Sequence, residues 1–318
     1  MGLSTYIVRR LLQIPLVLFF VTVIVFALMH VSPGDPISIM LGAYSTPEAV
    51  QALKEEYFLD RSLPEQYVRW LGRMVQGDMG VSIRTNEPVL EIIATRLPIS
   101  IGLATAATVV ALLVAIPAGI AAAYWKNTGW DYGLMGFTML GLSVPNFTLA
   151  LLLILVFSMK LDWLPISGVG FTSFADDFWA ALLPFLLPTV SLAVARIAEL
   201  SRFVRTSMLG VLNQDYIRTA YAKGLPPLGV VLTHGLKNAM IPVITVTAIT
   251  FAYLVGTTIT IEYIFAIPGI GSALVNAVVN RDFPVIQGLT LASALLFLLM
   301  NLLADYLYAV VDPRVVYK

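Results

Sequence analysis

The sequence has no cysteine and only two histidines, His30 and His234, among its 318 residues. It therefore cannot form disulfides, thiolate metal sites or cysteine nucleophiles, and two histidines exclude a multi-histidine metal site. Charged residues are scarce as well, because they make up 12% of the chain, whereas soluble domains contain about 25%. The 19 basic and 19 acidic residues balance, so no net charge favours a nucleic-acid partner.

Apolar residues, by contrast, make up 58% of the chain, and the mean hydropathy is +0.87. A water-soluble fold of this length cannot bury that much apolar surface, so the composition indicates an integral membrane protein. A membrane-spanning helix needs about 20 mostly apolar residues. Six segments qualify, the fourth of them interrupted by prolines: Leu11–Val31, Ile99–Tyr124, Gly133–Met159, Ala180–Ile197, Ile241–Ile261 and Ile286–Val311. The predicted fold is an all-α membrane protein with six transmembrane helices.

The distribution of basic residues predicts the side of the membrane on which each loop lies. Eleven of the 19 basic residues, Arg196 among them, lie on the side of both termini, which the positive-inside rule assigns to the cytoplasm. The first loop, Ser32–Pro98, then faces outside, and its segments Pro47–Tyr57 and Pro64–Val75 are expected to be helical. We predict four parts along the chain: residues 1–31 with the first helix, an extracytoplasmic loop domain at 32–98, five helices at 99–311 and a cytoplasmic tail at 312–318.

A short helix is predicted inside the second large loop, Ala198–Met240, which faces the cytoplasm. Asp215 complements the amino end of this helix, Lys223 complements its carboxyl end, and Gly224 can cap it. The two prolines that follow prevent the helix from continuing. Ala220 and Gly224 form a patch of small residues that another backbone could approach closely. The helix therefore either docks into a partner's groove or only turns the chain.

The sequence around this short helix resembles the EAA loop of ABC importer permeases. The resemblance rests on Asp-Tyr-Ile-Arg-Thr-Ala-Tyr-Ala-Lys-Gly-Leu at 215–225 and on His-Gly-Leu-Lys-Asn-Ala-Met-Ile-Pro at 234–242. Further motifs occur in order: Arg9-Arg10, Ser32-Pro33-Gly34-Asp35-Pro36, Gly77-Asp78-Met79-Gly80, Arg96-Leu97-Pro98, Ser143-Val144-Pro145-Asn146-Phe147, Trp163-Leu164-Pro165, Pro268-Gly269-Ile270-Gly271, Arg281-Asp282-Phe283-Pro284 and Asp312-Pro313-Arg314. The ordered set spans essentially the whole chain and is similar to the first permease subunit of the dipeptide/oligopeptide family.

This resemblance implies a type I ABC importer in a bacterial or archaeal plasma (inner) membrane. The chain would pair with a homologous second permease, two ATPase subunits and an extracytoplasmic solute-binding protein. Its 215–224 helix would be the coupling helix that contacts an ATPase through these residues: Asp215, Tyr216, Arg218, Thr219, Ala220, Lys223 and Gly224. The chain lacks a GxxxxGK[ST] loop, so ATP and magnesium would belong to the ATPase subunits, and no cofactor or catalytic residue is expected here.

The chain departs from the family pattern near the coupling helix. Tyr221 stands where an arginine is usual, Gly210 where a glutamate is usual, and Pro226-Pro227 where a polar run is usual. These differences concern the details of ATPase docking and leave the resemblance of the whole chain unchanged.

Polar residues within or beside the spans are candidates for a solute pathway. Three are named for this role: Ser143, Asn146 and Glu262. The alternative for the first two is hydrogen bonding to carbonyl groups freed beside Pro145, and for the third it is simple solvation near the interface. Charges that follow the fourth span are expected to be solvated at the inner face or to lie near the ATPase: Glu199, Arg202 and Arg205.

Other classes of membrane protein fit the sequence less well. A secondary transporter would show ionisable groups near the membrane midplane and repeats between its halves, and the sequence shows neither. An intramembrane hydrolase is disfavoured because the segment Gly141–Pro145 lacks the second glycine of a nucleophile elbow. The expected solutes are di- and oligopeptides, and oligosaccharides, nickel and glutathione are the alternatives within the same family.

Overall fold

The computed structural model describes residues 3–31, 46–47, 51, 60–166 and 178–311, and its regular elements in these ranges are helices. We label ten of them as follows: α1 Leu3–Val31, α2 Leu63–Val75, α3 Val89–Tyr124, α4 Gly129–Ser143, α5 Asn146–Leu153, α6 Phe178–Leu212, α7 Asp215–Ala222, α8 Leu236–Ile264, α9 Ile270–Asn280 and α10 Phe283–Val311. A π-helical turn, Ile154–Lys160, extends α5, and another, Val230–Gly235, precedes α8. The motifs at 32–36 and 312–314 and most of the expected helix Pro47–Tyr57 lie outside the described residues.

The predicted all-α membrane fold is confirmed. Five helical stretches are long and apolar enough to cross a membrane: Arg10–Val31, Val89–Tyr124, Leu182–Leu212, Pro227–Ile264 and Phe283–Tyr306. A bent pair, α4 with the Asn146–Lys160 stretch, brings the number to six if it is taken as one span. The predicted helix Pro64–Val75 is α2.

The third predicted span, Gly133–Met159, is not a straight helix. Its two halves, α4 and the α5 stretch, meet at an angle of 97°. Val144 is extended at φ −90° and ψ 119°, the conformation that a residue before proline favours. Pro145 then starts α5 as its N-cap. The break therefore follows from local backbone sterics, whereas Pro184 and Pro188 both lie inside the continuous helix α6.

The fourth span continues well beyond its predicted end at Ile197. Helix α6 runs to Leu212, so Glu199, Arg202 and Arg205 lie on it and not in a loop. Apolar periodicity ends near Ile197, but no glycine or proline follows until Gly210, and arginine and leucine are good helix formers. Hydropathy thus marked the end of the apolar stretch and missed the end of the helix.

The chain divides into two compact units, and the first comprises residues 1–7, 100–267 and 299–318. Its core holds two clusters where α3, α6 and α8 pack together, one around Ala111, Ala193 and Leu200 and another around Val204, Met208, Ala239 and Val243. Small residues allow the close approach. A Cβ on Gly119 of α3 would lie 2.6 Å from the Val204 Cβ and 2.8 Å from the Ser201 carbonyl oxygen.

The second unit comprises residues 8–99 and 268–298. The start of α3 packs with α9 and α10 around Val89, Ile93, Ala277 and Leu289. A loop before α3 is tied to this core by Asp282, whose carboxylate accepts hydrogen bonds from the Ser82 hydroxyl at 2.6 Å and the Ile83 amide at 3.2 Å. Within the same unit, aromatic rings of α1 and α2 contact each other: Phe19, Phe26, Tyr67 and Trp70.

Candidate functional site

The predicted short helix is present as α7. Gln214 is its N-cap, Lys223 is its C-cap, and Gly224 follows at φ +77°, a left-handed conformation that suits glycine. The Lys223 amide donates to the Thr219 carbonyl at 3.1 Å, and the Gly224 amide donates to the Tyr221 carbonyl at 2.9 Å. The helix thus ends at Ala222, just before the predicted capping glycine and four residues before the pair of prolines.

The inner face of α7 packs against the chain itself. Ile217 is completely buried and Ala220 is 6% exposed. They form an apolar cluster with buried Val230, and partly buried Val211 and Leu212 pack against this cluster. Ala220 was expected on a docking patch together with Gly224, but it lies on the anchored side. The reason is that Ile217, which precedes it by three positions, is the largest apolar side chain of the inner face and turns this side toward α6.

The opposite side of α7 is accessible, and we call it the α7 outer face. Its exposed residues include six that define it: Asp215, Tyr216, Arg218, Thr219, Tyr221 and Lys223. The Asp215 and Arg218 side chains are 95% and 75% exposed and lie 3.3 Å apart. Tyr216 remains exposed while its hydroxyl accepts a hydrogen bond from the Asn238 amide of α8 at 3.0 Å. Gly224 is also exposed, directly after the helix.

Helix α7 is part of a packed assembly with the end of α6 and the start of α8. The Ser207 hydroxyl of α6 donates to the Ala239 carbonyl of α8 at 2.7 Å. Met208 packs in the cluster that contains Val231 and Ala239, and a Cβ on Gly235 would lie 3.4 Å from Met208. Helix α7 is therefore connected through packed side chains to the adjoining ends of α6 and α8.

A buried ion pair joins α6 to α4, and sequence reasoning missed it. The Asp131 side chain is 2% exposed and the Arg205 side chain 19% exposed. Arg205 donates from Nε to one carboxylate oxygen and from Nη2 to the other, the second at 2.7 Å. The Asn127 amide also donates to this carboxylate at 3.0 Å. Arg205 was expected to be solvated at the inner face or to lie near the ATPase, yet Asp131, the only acid in α4, is its partner.

The other charges of α6 differ in their surroundings. Arg202 is exposed, as a solvated charge would be. Glu199 is not simply solvated, because one of its carboxylate oxygens accepts a hydrogen bond from Arg196 at 2.6 Å. The two side chains are 27% and 17% exposed, respectively.

The three candidate pathway residues are in different environments. Ser143 is exposed at the end of α4, and its hydroxyl donates to the Met139 carbonyl at 2.7 Å. Asn146 is half-buried in the first turn of α5, on the other side of the bend. Glu262, near the end of α8, is completely buried, as are Phe265 and Ile267. Ser143 and Asn146 therefore share the bend, whereas Glu262 is not at a surface that a solute could reach in this conformation.

The described ranges contain no cluster of side chains suited to hold a metal ion. Within residues 3–31, 60–166 and 178–311, no three of His, Cys, Asp and Glu come together as a metal site would require.

Comparisons with known proteins identify sequence families and relatives that this chain resembles. Residues 115–317 match the family described as binding-protein-dependent transport system inner membrane component, and residues 3–104 match its N-terminal counterpart. The oligopeptide transport system permease protein AppB of Bacillus subtilis is 40% identical over 99% of this chain and 100% of its own length. A putative peptide transport system permease protein of Brucella suis is 39% identical over 99% and 100%. The glutathione transport system permease protein GsiC of Escherichia coli is 40% identical over 98% and 99%.

Proposed function

Because this chain belongs to the family of binding-protein-dependent transport system inner membrane components, we propose that it forms half of the membrane pathway of an ATP-driven peptide importer. It is a multi-pass protein and a permease subunit of a bacterial transport system, not an enzyme. The peptide solute is supported by the names of relatives that match along their whole length. A homologous second permease, two ATPase subunits and an extracytoplasmic binding protein complete the proposed assembly.

The proposed contact with an ATPase subunit is the α7 outer face. The observation that carries this assignment is the difference between the two sides of α7. Ile217 fixes one side in the chain's own core, while the charged and aromatic groups of the other side are exposed. A short helix anchored in this way can transmit force, because it cannot rotate freely under a docked protein. ATP and magnesium act in the partner subunits, and α7 transmits the resulting movement to α6 and α8.

The proposed orientation places α7 and both termini in the cytoplasm. It rests on the excess of basic residues on that side of the predicted spans. The loop before α3, including the segment held by Asp282, then faces outside, toward the binding protein.

Glutathione is a second candidate solute, because one full-length relative is a glutathione transport system permease. The two candidates are separable by competition: unlabelled glutathione should displace a labelled dipeptide from uptake only if glutathione uses the same assembly. Strong inhibition by glutathione and weak inhibition by unlabelled dipeptide would favour the second candidate.

The experiment that tests the proposed function is uptake into proteoliposomes that contain this chain, the second permease and the ATPase subunits. With binding protein and a labelled dipeptide supplied on the outer side, uptake should require ATP inside. Uptake driven by a proton gradient without ATP would instead identify an ion-coupled transporter and overturn the proposal.

The docking assignment is tested by Thr219→Trp, which adds bulk to the α7 outer face at an exposed position. ATPase subunits should no longer co-purify, while membrane insertion is retained. Gly224→Leu is less informative alone, because Gly224 at φ +77° strains any leucine placed there even though no atom lies within 4 Å of its Cβ position. Normal co-purification of the ATPase subunits with Thr219→Trp would show that the contact lies elsewhere.

A further inference from the structure

Three polar side chains form a cluster between α6 and α8 that the proposed function does not use. Arg196 donates from Nη1 to Glu199 at 2.6 Å, and its guanidinium carbon lies 5.8 Å from the centre of the Tyr253 ring. This geometry is that of a cation–π contact. We call these three residues the Arg196 cluster.

Along α8, the Arg196 cluster lies beside the middle of an apolar stretch. Tyr253 is 12 residues after Ile241 and eight before Ile261, within a stretch that contains no charged residue. At a rise of 1.5 Å per residue, Tyr253 is about 18 Å from one end of this stretch and about 12 Å from the other. Since the Arg196 guanidinium lies against the Tyr253 ring, the ion pair is at the same depth. The charge count assigned Arg196 to the cytoplasm because the apolar stretch ends beside it, whereas α6 continues to Leu212.

The Arg196 cluster is also open on one side. Tyr253 is 57% exposed, and both charged side chains retain partial exposure. Lipid tails cannot hydrogen-bond to such groups, so charged side chains at this depth face water-filled cavities or other protein. Among the residues that the structure describes, the enclosed Arg196 Nε has no hydrogen-bond partner. A solute cannot reach this enclosed Nε, but Glu199 takes only one donor of Nη1, so the guanidinium, with five N–H donors, keeps Nη donors that Glu199 does not use.

We propose that the Arg196 cluster is a binding subsite for the terminal carboxylate of a peptide on its way through the membrane. Arginine binds a carboxylate through two parallel hydrogen bonds, and Tyr253 offers a ring face beside it. Glu199 holds the guanidinium in place and, by sharing it, keeps the peptide from binding too tightly to leave. This subsite rests on the proposed function, because it requires that the pathway runs along this face of α6 and α8.

The test compares uptake of alanyl-phenylalanine with uptake of its C-terminal amide in the proteoliposomes described above. Uptake of the acid by the wild-type assembly, dependent on ATP, tests the proposed function by itself. The subsite is tested by the ratio of acid to amide rates, which cancels the preference of the binding protein when variant and wild type are compared. Arg196→Gln should lower this ratio about five- to tenfold, and Arg202→Gln, at an exposed position on the same helix, should leave it unchanged.

A second pair of variants covers the case in which Arg196→Gln does not assemble. Tyr253→Phe retains the ring and should keep the ratio, whereas Tyr253→Leu should lower it. In addition, Tyr253→Cys introduces the single cysteine of the chain and should react with a charged, water-soluble thiol reagent more slowly when the peptide acid is present. A ratio unchanged in Arg196→Gln or, if that variant fails, in Tyr253→Leu, or equal protection by acid and amide, would overturn the subsite.

Discussion

Arg205 and Asp131 are 74 residues apart in the sequence and form a buried two-point ion pair between α6 and the first turn of α4. The pair connects the helix that leads to the α7 outer face with the limb that leads to the bend at Pro145. It thus joins the element proposed to receive force with the element whose two limbs meet at 97°.

Breaking this pair should destabilise the protein strongly. Asp131→Ala leaves Arg205 as an uncompensated charge that is mostly buried, which costs about 3–5 kcal/mol. The double variant Asp131→Leu/Arg205→Met should recover most of that loss, because an apolar pair leaves no charge to solvate. The thermal unfolding midpoint of the purified protein measures both effects.

Arg218→Gln removes one partner of an exposed pair and is the matched control, with no measurable shift expected. A similarly small shift for Asp131→Ala would contradict a buried ion pair between Asp131 and Arg205.

The contact between α3 and α6 should not tolerate a methyl group at Gly119. The new Cβ would lie 2.6 Å from the Val204 Cβ and 2.8 Å from a backbone oxygen, so the helices must move apart, at a cost of about 1–3 kcal/mol. Gly102→Ala, on the same helix with no atom within 4 Å, should be neutral or slightly stabilising. Unfolding midpoints of the two variants test the difference. Equal stability of both would mean that α3 and α6 are not in close contact at Gly119.

Anchoring of α7 and docking by α7 should be separable. Ile217→Ala removes a completely buried side chain and should cost about 2–5 kcal/mol through the cavity that it leaves. Thr219→Ala, on the exposed side of the same helix, should leave stability unchanged. We expect faster hydrogen exchange of the α7 amides in Ile217→Ala alone, measured by mass spectrometry. Equal exchange in the two variants would show that Ile217 does not hold the helix.

The orientation can be read from single cysteines, because the natural chain has none. Gln76→Cys, after α2, should be labelled by an impermeant thiol reagent in intact cells, and Asn213→Cys, before α7, should be labelled only after lysis. Both positions are exposed, so accessibility within the protein is matched. The reverse pattern would place α7 outside and exclude its proposed contact with an ATPase.

Loss of the Asp282 carboxylate should release the loop before α3. The Ser82 hydroxyl and the Ile83 amide of this loop both donate to the Asp282 carboxylate. Asp282→Ala leaves both donors without this acceptor. Trypsin should then cleave after Arg84 several-fold faster. Glu87→Ala, at an exposed position of the same loop, is the control and should not change the rate. An unaltered cleavage rate in Asp282→Ala would show that other contacts hold the loop.

Patterns local in the sequence predicted much of this fold. Apolar length located the spans, and the glycine at 224 with the prolines after it located the end of α7. The failures concern contacts between distant residues. Nothing near Asp131 in the sequence identifies Arg205 as its partner. Helical spacing groups Ile217 with Ala220, but it does not show that Val230 and Leu212 cover this side of α7.

The position of Arg196 relative to the end of its apolar stretch depends on a related distinction. Arg196 was counted with the cytoplasmic charges because the apolar run ended beside it, while the helix itself continued to Leu212. A polar pair inside a helix looks the same in the sequence as a polar pair after a helix. Only the position of Tyr253, on another helix, distinguishes the two.

Because of the bend at Pro145, we expect this protein's activity to depend on the thickness of the surrounding lipid bilayer. Each limb of the bent pair, Gly129–Ser143 and Asn146–Lys160, has 15 residues and is therefore about 22 Å long, against about 30 Å for a hydrocarbon core. Because neither limb alone matches the bilayer, the acyl chains next to them must shorten, tilt or leave room for other protein. A change in acyl-chain length should therefore alter the angle at Val144 and, with it, the rate at which the protein cycles, without any change in the sequence.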